Sequence, residues 1–358
     1  MNIKSIILGS AAALVAGGAA QAADLPVAEP VDYVKVCDAY GAGYFFIPGT
    51  DTCLKIGGKV LFGAESAGFN SDVARSDNLV NFYTETTFKF TAREETELGT
   101  LTAHMEFDDT GEDDLGEGTA IDKAYITLGG FYAGLTDSLL SFNAGYGYDD
   151  YGVLDVDLNT IGYKAEMGNG VTAAIALEEY TGNETGAGTS MPAVVAKLSI
   201  AQGWGSAEAG GSVFQVRYQD AAYDTDYGYA FGGQAKFNVV EDLKFGVAGG
   251  YTAGGSWLEE SAVTGKLNTG WAASAGLEYA FADNFNFYVD AGYKAFNDRS
   301  GTDDWEGWGV SAMAEYFPVK NLSIAATVGY QKIDFDTETT ANQDWDDVAA
   351  KLEIERTF

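Results

Sequence analysis

Histidine is nearly absent: the 358 residues hold one, His104. Nucleophilic triads need a histidine base beside an activated serine or cysteine, so such an enzyme would depend on this single residue. No catalytic site is expected. Cations are scarce as well, with 20 lysines and arginines against 53 acids and a formal net charge of −33. A chain this acidic is not expected to bind nucleic acid. Proline is held to five residues and cysteine to two, Cys37 and Cys53. Beyond residue 22 there is no long unbroken apolar run, so no helix is expected to span a membrane. No cofactor is expected, and no metal site: residues 111–118, GEDDLGEG, gather carboxylates without the fixed ligand spacing of a calcium loop.

What the chain does have is alternation. In residues 81–107, Phe82, Thr84, Thr86, Phe88, Phe90 and Ala92 interleave with Tyr83, Glu85, Thr87, Lys89, Thr91 and Arg93. After a turn, Leu101, Ala103, Met105 and Phe107 interleave with Thr102, His104 and Glu106. Period two puts one set on each side of a strand. In a soluble sheet the apolar face would need a second protein layer, and no amphipathic helix is present to supply one. Lipid serves instead: a transmembrane barrel strand needs about 9–11 residues, apolar toward lipid and polar toward a wet lumen. A mean hydropathy of −0.08 does not argue against this, because alternating strands average near zero. The 46 glycines and 21 each of Phe and Tyr suit strands and tight turns.

Short turns flanked by alternating runs fall at residues 96–99, 129–131, 167–170, 201–206, 238–242, 282–284 and 318–321. These seven hairpins, with unpaired runs at 54–64 and 348–358, predict an all-β, closed antiparallel transmembrane barrel of about 16 strands. Sixteen strands enclose an aqueous channel. The acids are expected in the long outer connections: Asp108, Asp109, Glu112, Asp113, Asp114 and Glu117 in one, Asp298, Asp303, Asp304 and Glu306 in another, Asp334, Asp336, Glu338, Asp344, Asp346 and Asp347 in a third. Phe90, Phe237, Phe245, Tyr279, Phe281, Phe285, Phe287 and Tyr316 cluster beside the short turns, as an inner interfacial girdle does.

Residues 1–22 read as a cleaved secretory signal, with Lys4, an apolar run and the small-residue site Ala20-Gln21-Ala22. Residues 23–53 then form a periplasmic N-terminal segment and 54–358 the barrel. In an exported protein Cys37 and Cys53 are expected to be disulfide-bonded.

Residues 23–58, ADLPVAEPVDYVKVCDAYGAGYFFIPGTDTCLKIGG, closely resemble the opening of alphaproteobacterial outer-membrane porins of the rhizobial and Brucella type. TELGTLT (96–102) and AYITLGGFYAGLTDSLLSF (124–142) are similar to the same family. The resemblance implies a homotrimeric sixteen-stranded porin in a Gram-negative outer membrane, with the third outer loop folded into the lumen. Here that loop is 136–157, carrying Asp149, Asp150, Asp155 and Asp157 as the acidic side of the constriction. Parity puts Glu85, Lys89, Arg93, His104, Glu106 and Lys123 on the pore wall. Members of the family carry basic residues where this sequence has Leu135 and Thr102, and those departures with the net charge lead to an expected cation preference. The last strand, ending in Phe358, resembles the signal read by the barrel-assembly machinery.

The expected function is passive diffusion of small hydrophilic solutes and ions, with lipid and lipopolysaccharide as neighbours. A structural, adhesive or receptor barrel with acidic surface loops is the alternative.

Overall fold

Period-two sequence without covering helices leaves strand pairing as the only way to satisfy the backbone within lipid. The computed structural model describes residues 35–66, 68, 78–111, 120–145, 156–179, 188, 190–217, 224–254, 269–297, 304–337 and 344–358. A 3-10 turn (Asp38–Tyr40) and a two-residue strand β1 (Phe45–Phe46) come first. Sixteen longer strands follow, beginning with β2 (Cys53–Ser66), β3 (Val80–Thr96), β4 (Gly99–Gly111), β5 (Ala120–Leu128), β6 (Phe131–Asp137), β7 (Asp157–Gly168), β8 (Val171–Glu178) and β9 (Ala193–Gln202). The second half comprises β10 (Gly205–Val216), β11 (Asp226–Val240), β12 (Leu243–Ala253), β13 (Thr269–Ala282), β14 (Phe285–Asn297), β15 (Trp305–Val319), β16 (Leu322–Phe335) and β17 (Trp345–Thr357).

Each of these strands pairs antiparallel with the next, and β17 pairs with β2 from Lys351↔Glu65 to Thr357↔Lys59. The barrel is thereby closed and has no free edge. The short turns fall where the alternation reverses. At Asn169 and Gly170 both central residues have positive φ, 51° and 74°, the geometry whose twist matches the flanking strands.

Cross-strand partners share a face. The outward face carries exposed Ile56, Val60, Phe62, Phe82, Phe88, Met105 and Ile126, a surface suited to lipid. Phe237, Phe245, Tyr279, Phe281, Phe287 and Tyr316 are exposed beside the short turns. Several acids expected in loops lie instead in strands: Asp108 and Asp109 in β4, Glu306 in β15, Asp334 in β16, Asp346 and Asp347 in β17. The hydrogen-bond ladder continues past the apolar band, because paired backbone groups hold equally well where water replaces lipid.

Strand lengths are uneven. β3 has 17 residues, whereas β6 has 7 and β8 has 8, so the connection after β6 leaves the wall early. Residues 138–145 then pack on inward side chains of the neighbouring strands. Leu139, Leu140, Phe142 and Ala144 join Val195, Phe214, Val216 and Ala230 in one buried cluster. A second, smaller cluster joins Cys37, Cys53 and Tyr44, with Tyr40 and Phe46 against it.

Candidate functional site

The inner face of the barrel is where polar and charged side chains converge. On β3, alternation turns Glu85, Lys89 and Arg93 inward; on β4 it does the same for His104, Glu106 and Asp108. The registers Lys89↔Glu106, Thr91↔His104 and Arg93↔Thr102 bring these rows together. Lys89 forms an ion pair with the buried Glu106. His104 Nε2 lies 3.5 Å from the other Glu106 oxygen, its Nδ1 is 2.9 Å from Thr91 Oγ1, and its ring lies tilted 5.0 Å from that of Tyr125. His104 is thus a wall residue locked by its neighbours. Glu85 lies 3.9 Å from Lys59, which also pairs with Glu355 at 3.4 Å.

An irregularity in the β4–β5 register, between Glu106 and Phe107, draws Asp122 toward the carboxylates of β4. One carboxylate oxygen each from Glu106, Asp108 and Asp122 lies within 4.8 Å of the others. Next to them Lys123 donates to Asp137 Oδ1 at 2.7 Å, and Asp137 is the register partner of Asp157. Asp108 and Asp122 are functional candidates that parity counting missed: Asp108 falls in an expected loop, and Asp122 turns inward only because of the irregularity. Asp137 ends the seven-residue β6 on the face of Leu135.

Two expectations change. Arg93 does face inward, but it sits over the rings of Tyr44 and Tyr40, at 5.4 and 6.0 Å, so the disulfide-closed segment covers it. Cys37 and Cys53 are bonded, with Cα atoms 6.0 Å apart. Leu135 pairs with Ala124, and Ala124 with the exposed Met105, so Leu135 faces outward and has no bearing on lumen charge. Asp149, Asp150 and Asp155 lie outside the described residues, whereas Asp157 opens β7.

The connection after β6 is tied to this wall. Ser138 Oγ and Leu139 N donate to the two oxygens of Glu178, at 2.6 and 2.8 Å. Asn143 N donates to Gln234 Oε1 at 2.6 Å. Gln234 is bonded in turn to Glu208, which pairs with Lys197 at 3.1 Å. These carboxylates and amides face inward and take up donors of residues 138–145 that would otherwise be buried unpaired.

A closed sixteen-stranded barrel with an apolar exterior and a charged interior is the geometry of a channel. Residues 24–354 match the family model described as Porin subfamily. The chain belongs to this porin family. Among curated relatives, the porin is 34% identical to Porin Omp2b of Brucella canis over 96% of each chain. It is 32% identical to Porin Omp2a of Brucella suis, again over 96% of each. Among solved structures, the outer membrane channel DcaP of Acinetobacter baumannii aligns with a TM-score of 0.76 at 19% identity, covering 87% of this chain and 99% of that one. An anion-selective porin from Comamonas acidovorans aligns with a TM-score of 0.58 at 11% identity, over 86% and 100%. The solved structures share the fold. The family makes this protein a channel of the Gram-negative outer membrane, in which Phe358 completes the barrel seam. Its N–H donates to Gly58 O at 3.0 Å, Gly58 N–H donates back at 3.2 Å, and its ring lies 6.3 Å from that of Phe88.

Proposed function

We propose that this porin is a passive channel for small hydrophilic solutes and ions with a preference for cations. The observation that carries this reading is the excess of inward carboxylates on β4 and β5: Glu106, Asp108 and Asp122 against Lys89 and Lys123. Both lysines are already held in ion pairs, so the net field there is negative. In a narrow passage with low-dielectric walls, that field raises local cation concentration and repels anions. In the same reading residues 138–156 are the loop that narrows the lumen, and Asp149, Asp150 and Asp155 complete its acidic side. The protein acts as a homotrimer seated in lipid and lipopolysaccharide, exported through removal of residues 1–22 and inserted by the barrel-assembly machinery through its Phe358 end.

Planar-bilayer recording of the refolded protein under a KCl gradient tests the selectivity. The expected result is stable steps with a cation-directed reversal potential. Replacing Asp108 and Asp122 by Asn lowers the cation-to-anion permeability ratio, and Lys123→Gln raises it by removing an inward cation. An anion-directed potential in the wild type overturns the preference, and no steps from a verified folded barrel moves weight to the adhesive class.

A further inference from the structure

Glu178, the last residue of β8, is fully buried. Among the described residues it makes no ion pair within 4 Å. Taking a carboxylate out of water costs several kcal/mol unless hydrogen bonds replace the lost solvent. No wall neighbour hydrogen-bonds it: its register partners are Thr160, whose hydroxyl makes no bond to it, and Ala193, and Ala176, Val195 and Leu158 line the surrounding patch. An apolar residue would suit such a patch better, were the wall all that mattered.

What Glu178 does satisfy belongs to the connection after β6. Its two oxygens take the hydroxyl of Ser138 and the backbone N–H of Leu139, the first two residues to leave the strand. Ser138 Oγ in turn accepts from Leu140 N at 3.0 Å, and Ser138 N donates to Val156 O at 2.9 Å, where the connection returns. The carboxylate therefore fixes the direction in which the segment leaves β6, and the backbone bond from Ser138 to Val156 joins its two ends. The apolar side chains that follow, Leu139, Leu140 and Phe142, enter the inner-wall cluster in the direction set by that exit.

We infer that Glu178 is the positioning residue that holds the connection after β6 flat against the inner wall and so sets the open width and steadiness of the pore. It touches no permeating solute and acts through the loop backbone. Hydrophobic contacts alone would let the segment slide along the patch, since they are not directional, whereas two hydrogen bonds to one carboxylate impose a single geometry. The inference rests on the reading of residues 138–156 as the narrowing loop.

The test compares wild type, Glu178→Gln, Glu178→Leu and Ser138→Ala as refolded full-length barrels in planar bilayers, recording step size and open-channel current noise. Glu178→Gln keeps an acceptor for Leu139 N and a polar partner for Ser138, and is expected to conduct like wild type. Glu178→Leu has similar bulk without acceptors and is expected to give altered, noisier steps. The released fraction should rise at least about tenfold for each hydrogen bond lost to a charged group. Ser138→Ala, which removes one of the two, is expected to fall between them, and it decides the matter if Glu178→Leu does not refold. Wild-type steps and noise in both Glu178→Leu and Ser138→Ala, or in Ser138→Ala where it alone refolds, overturn the inference. The underlying loop reading fails separately: deleting residues 141–153 would then leave the wild-type step size unchanged.

Discussion

Where the last strand meets the first, Tyr83, Gly63 and Glu353 lie in one row across β3, β2 and β17, through the registers Gly63↔Tyr83 and Glu353↔Gly63. Adjacent strands are about 4.8 Å apart, so a tyrosine can reach a residue two strands away only by lying across the strand between them. Gly63 permits this, because a Cβ there would fall within the Tyr83 ring. The hydroxyl then donates to Glu353 Oε1 at 2.8 Å, with both residues more than nine-tenths buried. A hydrogen bond to a charged group contributes about 1.5–3 kcal/mol, and its loss leaves a buried acceptor short of a partner. Tyr83→Phe is therefore expected to destabilise the folded barrel by about 1.5–3 kcal/mol. Gly63→Ala is expected to do at least as much by lifting the ring off the seam, although alanine elsewhere in a strand is the better residue by about 0.5–1 kcal/mol. Both changes break the same bond, so the double variant is expected to cost clearly less than the sum of the two. Urea unfolding in lipid vesicles, followed by tryptophan fluorescence and by the gel mobility of the folded form, measures all three. Additive effects, or a Tyr83→Phe cost below about 0.5 kcal/mol, would refute the account of the seam.

Removing Phe358 takes away both hydrogen bonds to Gly58 and the ring beside Phe88. Refolding yield into vesicles free of any assembly factor is expected to fall, which separates a structural role at the seam from recognition by the machinery. Cys37→Ser opens a loop of fifteen internal residues, whose closure contributes about 3 kcal/mol in the chain-entropy model. Heat resistance is expected to fall and residues 38–52 to become protease-sensitive, while single-channel conductance stays unchanged.

Much of the fold was legible because a barrel strand is specified locally. Side chains alternate with period two and short turns reverse it, so residues 81–107 and the seven turns carry their own instructions without reference to distant partners. Parity alone puts Lys89, His104, Glu106 and Lys123 on one face. Parity failed where the ladder slips, at Asp122, and where a strand runs beyond the apolar band, at Asp108. It put Arg93 on the face of Lys89 yet said nothing about Tyr44, which reaches that side chain from a loop forty-odd residues earlier, held there by the disulfide.

The sequence by itself determined the strand count, the inward and outward faces and the acidic character of the protein, because each is written in patterns a few residues long. Only the tertiary structure decided what residues 138–145 rest on, which acids meet at the inner wall and why a carboxylate is buried at Glu178. The first and last depend on packing across the barrel, which brings side chains from forty to about ninety positions apart into contact, and the acids meet through an irregularity between two neighbouring strands; neither leaves a local trace in the chain.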